Sequence, residues 1–234
     1  MVQLRSISLE RVWPIASPEV LGYLELKDDE LYGELRPNQV GPYVEGALEI
    51  GRQAGREFSY DGDLARLMDR ISQSGTKVTF VDERKRESDK LVRAQYERRP
   101  PRILVYRPSL EQMEHFFLKS GYRVRPEDVI ALHMCHEWFH HLEETRFGRT
   151  DYQLPKIAMR KIGPVTFKQS VESTREIAAH AFTQQVMGLP WYPLLLDVLI
   201  THSERKMKKE QIRDRFHRLR YEFEQLREAG TPIG

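Results

Sequence analysis

The spacing of apolar residues divides the chain into segments of different period. Leu21–Leu26 and Leu31–Leu35 are short apolar-rich runs on either side of Lys27-Asp28-Asp29-Glu30, and they read as two strands joined by a hairpin turn. Tyr43 to Phe58 has helical character, interrupted by Gly46, Gly51 and Gly55, residues that weaken a helix but let a neighbouring backbone come close. Leu64, Leu67, Met68 and Ile71 recur at helical spacing, with Gly75 placed to cap the C-terminus. Thr76–Val81 then predicts a strand. Glu83 to Arg99 is dense in charge without an apolar period and reads as a solvated loop. Ile103–Tyr106 predicts a second strand closed by Pro108, and Ser109 with Gln112 forms a capping-box pattern for a helix ending near Gly121.

The clearest helix follows. Pro126 suits its first turn, Glu127 and Asp128 suit the positive end of its dipole, and the pattern runs to about Glu144. Phe147 to Val165, with Gly148, Pro155, Gly163 and Pro164, reads as loop. Helix resumes by Val171 and stops at Gly188 and Pro190; Trp191 to Thr201 predicts a short buried helix. Ser203 to Glu228 predicts a long charged one, along which Ile212, Phe216, Leu219, Phe223 and Leu226 form a seam with 4-3-4-3 spacing. Two heptads favour packing of that seam on the chain's own body over a coiled coil, with a homo-oligomer through this helix as the sharper alternative.

Composition narrows the classes. A chain of 234 residues with 40% hydrophobic content can bury a core, and a formal net charge of +2 names neither nucleic acid nor membrane as a partner. The C-terminal cations are interleaved with Glu210 and Asp214, which favours a solvated face over a nucleic-acid-binding one. Cys135 is the only cysteine, so no internal disulfide and no Cys-rich zinc module can form. The first residues lack the apolar core of a secretory signal, and Leu194–Ile200 is too short to span a bilayer, so a cytoplasmic protein is expected.

The chemistry lies in His136-Glu137-Trp138-Phe139-His140, an H-E-x-x-H run inside the strongest helix. Positions i and i+4 lie on one face, so two imidazoles can meet a single Zn2+, and Glu137 can reach a water on that metal as general base. A third ligand is needed. Glu144 lies about 12 Å up the helix from His136, too far to share one ion. The next helix offers Glu172 and Glu176, and Ala178 and Ala179 beside Glu176 would let that helix approach closely. His180 falls on the same face, fit to orient a ligand or contact substrate. His133 reads as a neighbour or core residue behind the metal, His141 as solvated, and Cys135 as a small core residue. Tyr152, Arg175 and His180 are candidates to steady an oxyanion. Glu137-x-x-His140 also fits a di-iron bundle, but that site needs a second Glu-x-x-His, which the sequence lacks.

HEWFHHLE followed by EIAAHAFTQQVMGLP resembles the ImmA/IrrE family of zinc metallopeptidases. Glu176, Ala179, Phe182 and Met187-Gly-Leu-Pro190 follow the family's second motif in order, and the resemblance covers roughly residues 60 to 190. It implies His136, His140 and Glu176 as ligands and Glu137 as base. It also implies a strand before the metal helix, Arg102–Arg107, that pairs with extended substrate, and a helix-turn-helix repressor as a substrate. The chain departs from the family in a longer gap between His140 and Glu176, in His180 where Asp or Asn is usual, and in Thr183.

The expectation is an α+β fold. A zincin-like core over residues 42–202 would carry a small antiparallel or mixed sheet packed on the metal helix. A β-rich segment with a hairpin would occupy 1–41, and an amphipathic helix 203–234. The expected function is zinc-dependent peptide hydrolysis on a protein or peptide substrate, with a non-catalytic zinc-binding regulatory or interaction module as the alternative.

Overall fold

The computed structural model describes residues 1–87, 90–162 and 165–228, and they form an α+β fold. The N-terminal segment is helical, not a β-hairpin. Ser17 accepts the Val20 amide on its hydroxyl, and Pro18 takes the first turn, where its missing N–H costs nothing. The helix α1 (Pro18–Lys27) buries Val20, Leu21, Tyr23 and Leu26, and a 3-10 turn spans Tyr32–Glu34. A short apolar run carries no periodicity that separates strand from helix, and here the cap decides. Residues 1–16 pack onto the same core: the Leu4 amide donates to Asp128 at 3.0 Å, and Trp191 donates to the Ile7 carbonyl at 3.1 Å.

The helix α2 (Pro37–Gly55) lies against α7 (Ser173–Met187), the helix that carries Glu176. Gly51 makes that packing close. A Cβ at residue 51 would stand 2.1 Å from the Ala178 carbonyl oxygen, so the two backbones approach where no side chain fits. Gly51→Ala is therefore expected to force the helices apart at a cost of about 1–3 kcal/mol. Chemical denaturation checks this, and an unchanged midpoint would contradict the packing.

Three strands form the principal sheet, in the order β1 (Lys77–Val81), β5 (Pro101–Tyr106), β4 (Ala94–Arg98). β1 pairs with β5 in parallel, with Thr79 opposite Leu104, and β4 pairs with β5 antiparallel, with Tyr96 opposite Ile103. Two corrections follow. The charged stretch from Glu83 is not a loop: it holds β2 (Lys85–Glu87), β3 (Lys90–Val92) and β4. Its apolar alternation, Val92-Ala94-Tyr96, is short and masked by the charge around it. β5 is also the central strand, paired on both sides, so the strand read as substrate-pairing has no free edge; β4 holds the rim.

Around this sheet lie α3 (Leu64–Gln73), α4 (Arg107–Lys119) and α5 (Pro126–Leu142), which carries the H-E-x-x-H run. α4 starts at Arg107 with Pro108 in its first turn, so Ser109 is a buried helical residue and not a cap. After α5 a π-helical turn, Glu143–Phe147, leads into α6 (Thr150–Gln153). The predicted loop beyond it is an antiparallel pair, β6 (Ile157–Ile162) and β7 (Val165–Gln169); Gly163 and Pro164 lie outside the described residues. α8 (Leu194–Glu204) and α9 (Lys209–Glu228) are separate helices. Ile212, Phe216, Leu219 and Phe223 of α9 are buried against α1 and α2, with Phe223 stacked on Tyr23 at 5.2 Å. Those four seam residues pack on the chain's own body, with Leu226 partly buried beside them. No helix among the described residues is long and apolar enough to cross a membrane.

Candidate metal centre

α5 is apolar on nearly every side because it runs through the core: Val129, Leu132, Cys135, Trp138 and Phe139 are all buried. His136 and His140 face α7, where Glu176 stands in the first turn. The three side chains converge. His136 Nε2 lies 3.0 Å from Glu176 Oε2, His140 Nε2 lies 3.3 Å from Glu176 Oε1, and the two Nε2 atoms are 3.3 Å apart. A tetrahedral ion with bonds of about 2.0–2.1 Å spaces its ligand atoms by about 3.3 Å, a spacing the two Nε2 atoms match, and one ligand atom from each of the three residues lies within 4.8 Å of the others. These are the three residues whose ligand atoms fit around one cation among those described. The imidazoles keep only 14% and 11% of their side chains exposed, while Glu176 keeps 44%, so the donor set opens to solvent on the carboxylate side.

Electrostatics favour a cation at the centre. Burial works against charge on both imidazoles, yet Glu176 outweighs it: His136 is raised above its ordinary value and His140 is raised to about 10. Burial would raise the Glu176 carboxyl, and the same two histidines hold it well below the usual carboxylate range. A ligating histidine must be neutral, so metal uptake at these imidazoles would release protons.

The support of His140 was not found from sequence. Glu143 has a fully buried side chain, and its Oε2 lies 3.3 Å from His140 Nδ1. Glu143 also accepts the Thr150 amide at 2.7 Å and Arg175 Nε at 3.0 Å. A carboxylate on Nδ1 fixes the tautomer that leaves the Nε2 lone pair for a metal. Burial would raise the Glu143 carboxyl, but His140 and Arg175 hold it low. The available signal was a carboxylate one helical turn after the second histidine.

Glu137 stands off the donor triangle. Its Oε2 accepts the Tyr96 amide of β4 at 2.7 Å. The Tyr96 hydroxyl in turn lies 3.1 Å from His141 Nδ1, and His141 Nε2 donates to the Ser74 carbonyl at 2.8 Å. His141 is therefore a buried strut at 1% exposure and not a solvated residue.

The remaining candidates are placed as follows. The His180 ring packs 4.6 Å from that of His136, and its Nδ1 is buried without a hydrogen-bond partner among the described residues. Burial and the neighbouring His136 lower its pKa to about 3. His133 lies behind the donors with Nε2 2.8 Å from Met113 Sδ, and burial beside Arg93 lowers it to about 3. Arg175 holds Glu143 and also reaches Glu144 at 3.5 Å. Its guanidinium is engaged by these carboxylates through Nε and Nη2. Glu144 pairs with Arg98 at 3.1 Å and takes no part in the donor set. Tyr152 is 57% exposed between Arg149 and Lys156 and is not brought to the donors. Glu172 is 81% exposed, and burial raises the Cys135 thiol to about 12. Comparison with known proteins returns no matching family model, no matching curated sequence and no matching solved structure.

Proposed function

We propose that the chain is a zinc-dependent peptidase with a zincin-like core, in keeping with the resemblance of its motifs to ImmA/IrrE peptidases. The observation that carries this reading is the donor triangle of His136, His140 and Glu176 with the Glu137 carboxylate beside it at an open sheet rim. Zinc held by those donors would bring the pKa of a bound water towards about 7 and polarise the scissile carbonyl.

The chain's own residues supply the rest. Glu137 accepts the proton of the attacking water and passes it to the leaving amine. One of its oxygens is fixed by the Tyr96 amide, which leaves the other to work. Glu143 holds the His140 ring, and His180 packs against His136. Along β4, the Tyr96 N–H points out of the sheet, and the backbone groups of Ala94 and Arg98 share that direction. An extended peptide adding to this rim would run past Glu137. The substrate proposed is a protein or peptide; a helix-turn-helix repressor enters by resemblance alone.

The test is hydrolysis of a fluorogenic peptide library by the full chain. Cleavage that a chelator removes and Zn2+ restores is expected. A zinc-loaded, folded protein that cuts no library member and no protein added as bait would contradict the reading.

A further inference from the structure

Beyond Ile157, the described side chains of the pair β6–β7 are exposed on both faces. Ala158, Met159, Arg160, Thr166, Phe167, Lys168 and Gln169 all face solvent, with Met159 39% and Phe167 53% exposed. A two-stranded ribbon is marginal on its own in water, so this one is held at its base. Ile157 is buried, Ser170 donates to Asp151 at 2.7 Å, and the Tyr43 hydroxyl donates to the Pro155 carbonyl. That base is linked to the donor set, since Thr150, next to Asp151, donates its amide to Glu143, which in turn contacts His140. The arm ends at Gln169, and α7 follows with Arg175 and Glu176 in its first turns.

Its charge is one-sided. Between Asp151 and Glu172 the sequence holds Lys156, Arg160, Lys161 and Lys168 and no acid, in a chain whose totals are 37 cations and 35 acids. Arg160 stands opposite Phe167 across the ribbon, and Lys168 opposite Ala158. Among the described residues no carboxylate pairs with Arg160 or Lys168. An arm that adds little to the core, keeps its backbone edges open and presents unpaired cations beside apolar side chains is built to meet another chain.

We infer that β6–β7 is a docking arm for an acidic, extended segment of the protein that the metal cleft cuts. The inference rests on the peptidase reading and names the chemistry of its substrate. Open strand edges suit an extended polypeptide, and carboxylates on that polypeptide would neutralise Arg160 and Lys168. Nucleic acid is the weaker fit, because a near-neutral chain with interleaved acids on α9 lacks a broad cationic footprint.

Fluorescence anisotropy tests it on the full chain with four labelled probes: a Glu-rich peptide, a Gln-rich peptide of equal length, a single-stranded oligonucleotide and a duplex. Preferential, salt-sensitive binding of the Glu-rich peptide is expected. The Arg160→Glu, Lys168→Glu double variant should weaken it by roughly tenfold or more. Arg160→Gln with Lys168→Gln should give a smaller loss in the same direction, which covers misfolding of the charge-reversed protein. Cleavage of short neutral peptides should be unchanged in both. Equal Glu-rich affinity in wild type and variants overturns the inference, as does tighter oligonucleotide binding that the same substitutions remove. Arm-dependent binding by a protein without zinc-dependent hydrolysis supports the arm and overturns only the peptidase reading.

Discussion

Glu137→Gln should leave bound metal unchanged and lower peptide cleavage by about 10²–10⁴-fold. Glutamine keeps the size of the side chain, and its amide oxygen can still accept the Tyr96 N–H that orients residue 137. It cannot take a proton from water. The donors His136, His140 and Glu176 do not depend on it, since their contacts are with one another. Metal analysis and turnover on the same preparation separate the outcomes. Full cleavage in the variant would remove Glu137 as the base. Loss of metal would make Glu137 part of the binding site. Intact biological activity without cleavage would favour a zinc-binding interaction module.

Glu143→Gln should weaken zinc affinity by about 10–100-fold, the usual effect of losing the carboxylate behind a ligating histidine. The substitution removes the anion that sits between His140 Nδ1 and Arg175 Nε, while retaining an acceptor for the Thr150 amide. Because Glu143 is fully buried, Arg175 and His140 lose a charge-assisted partner that solvent cannot replace, and the fold should lose about 1–3 kcal/mol. Competition with a chromophoric chelator reads the affinity, and chemical denaturation reads the stability. Wild-type affinity in this variant would show that His140 is oriented without Glu143.

The convergence of His136, His140 and Glu176 was legible because helical geometry is local. Residues four apart share a face, so His136 and His140 follow from the pattern alone, and Ala178 marked α7 as the helix able to come close. Gly51 carries the other half of that approach, on a helix its own glycines made uncertain. What was not legible depends on long-range pairing. Tyr96 reaches Glu137 only because β4 lies on the rim of a sheet whose order, β1-β5-β4, mixes parallel and antiparallel neighbours. The charge of Lys85–Glu87, Lys90–Val92 and Ala94–Arg98 hides their strand period, and at residues 18–27 the Ser17-Pro18 start outweighs a short apolar run that by itself fits a strand. An amphipathic helix with one buried face would leave His141 in solvent, but α5 is enclosed on nearly all sides.

Elemental analysis of the protein purified without added metal, beside His140→Ala prepared in the same way, addresses the donor set most directly. One equivalent of a divalent ion, chiefly zinc, is expected in the wild type, and a folded His140→Ala protein should contain almost none. The same metal content in both proteins, or a folded wild type that binds no zinc even when it is supplied, would contradict it.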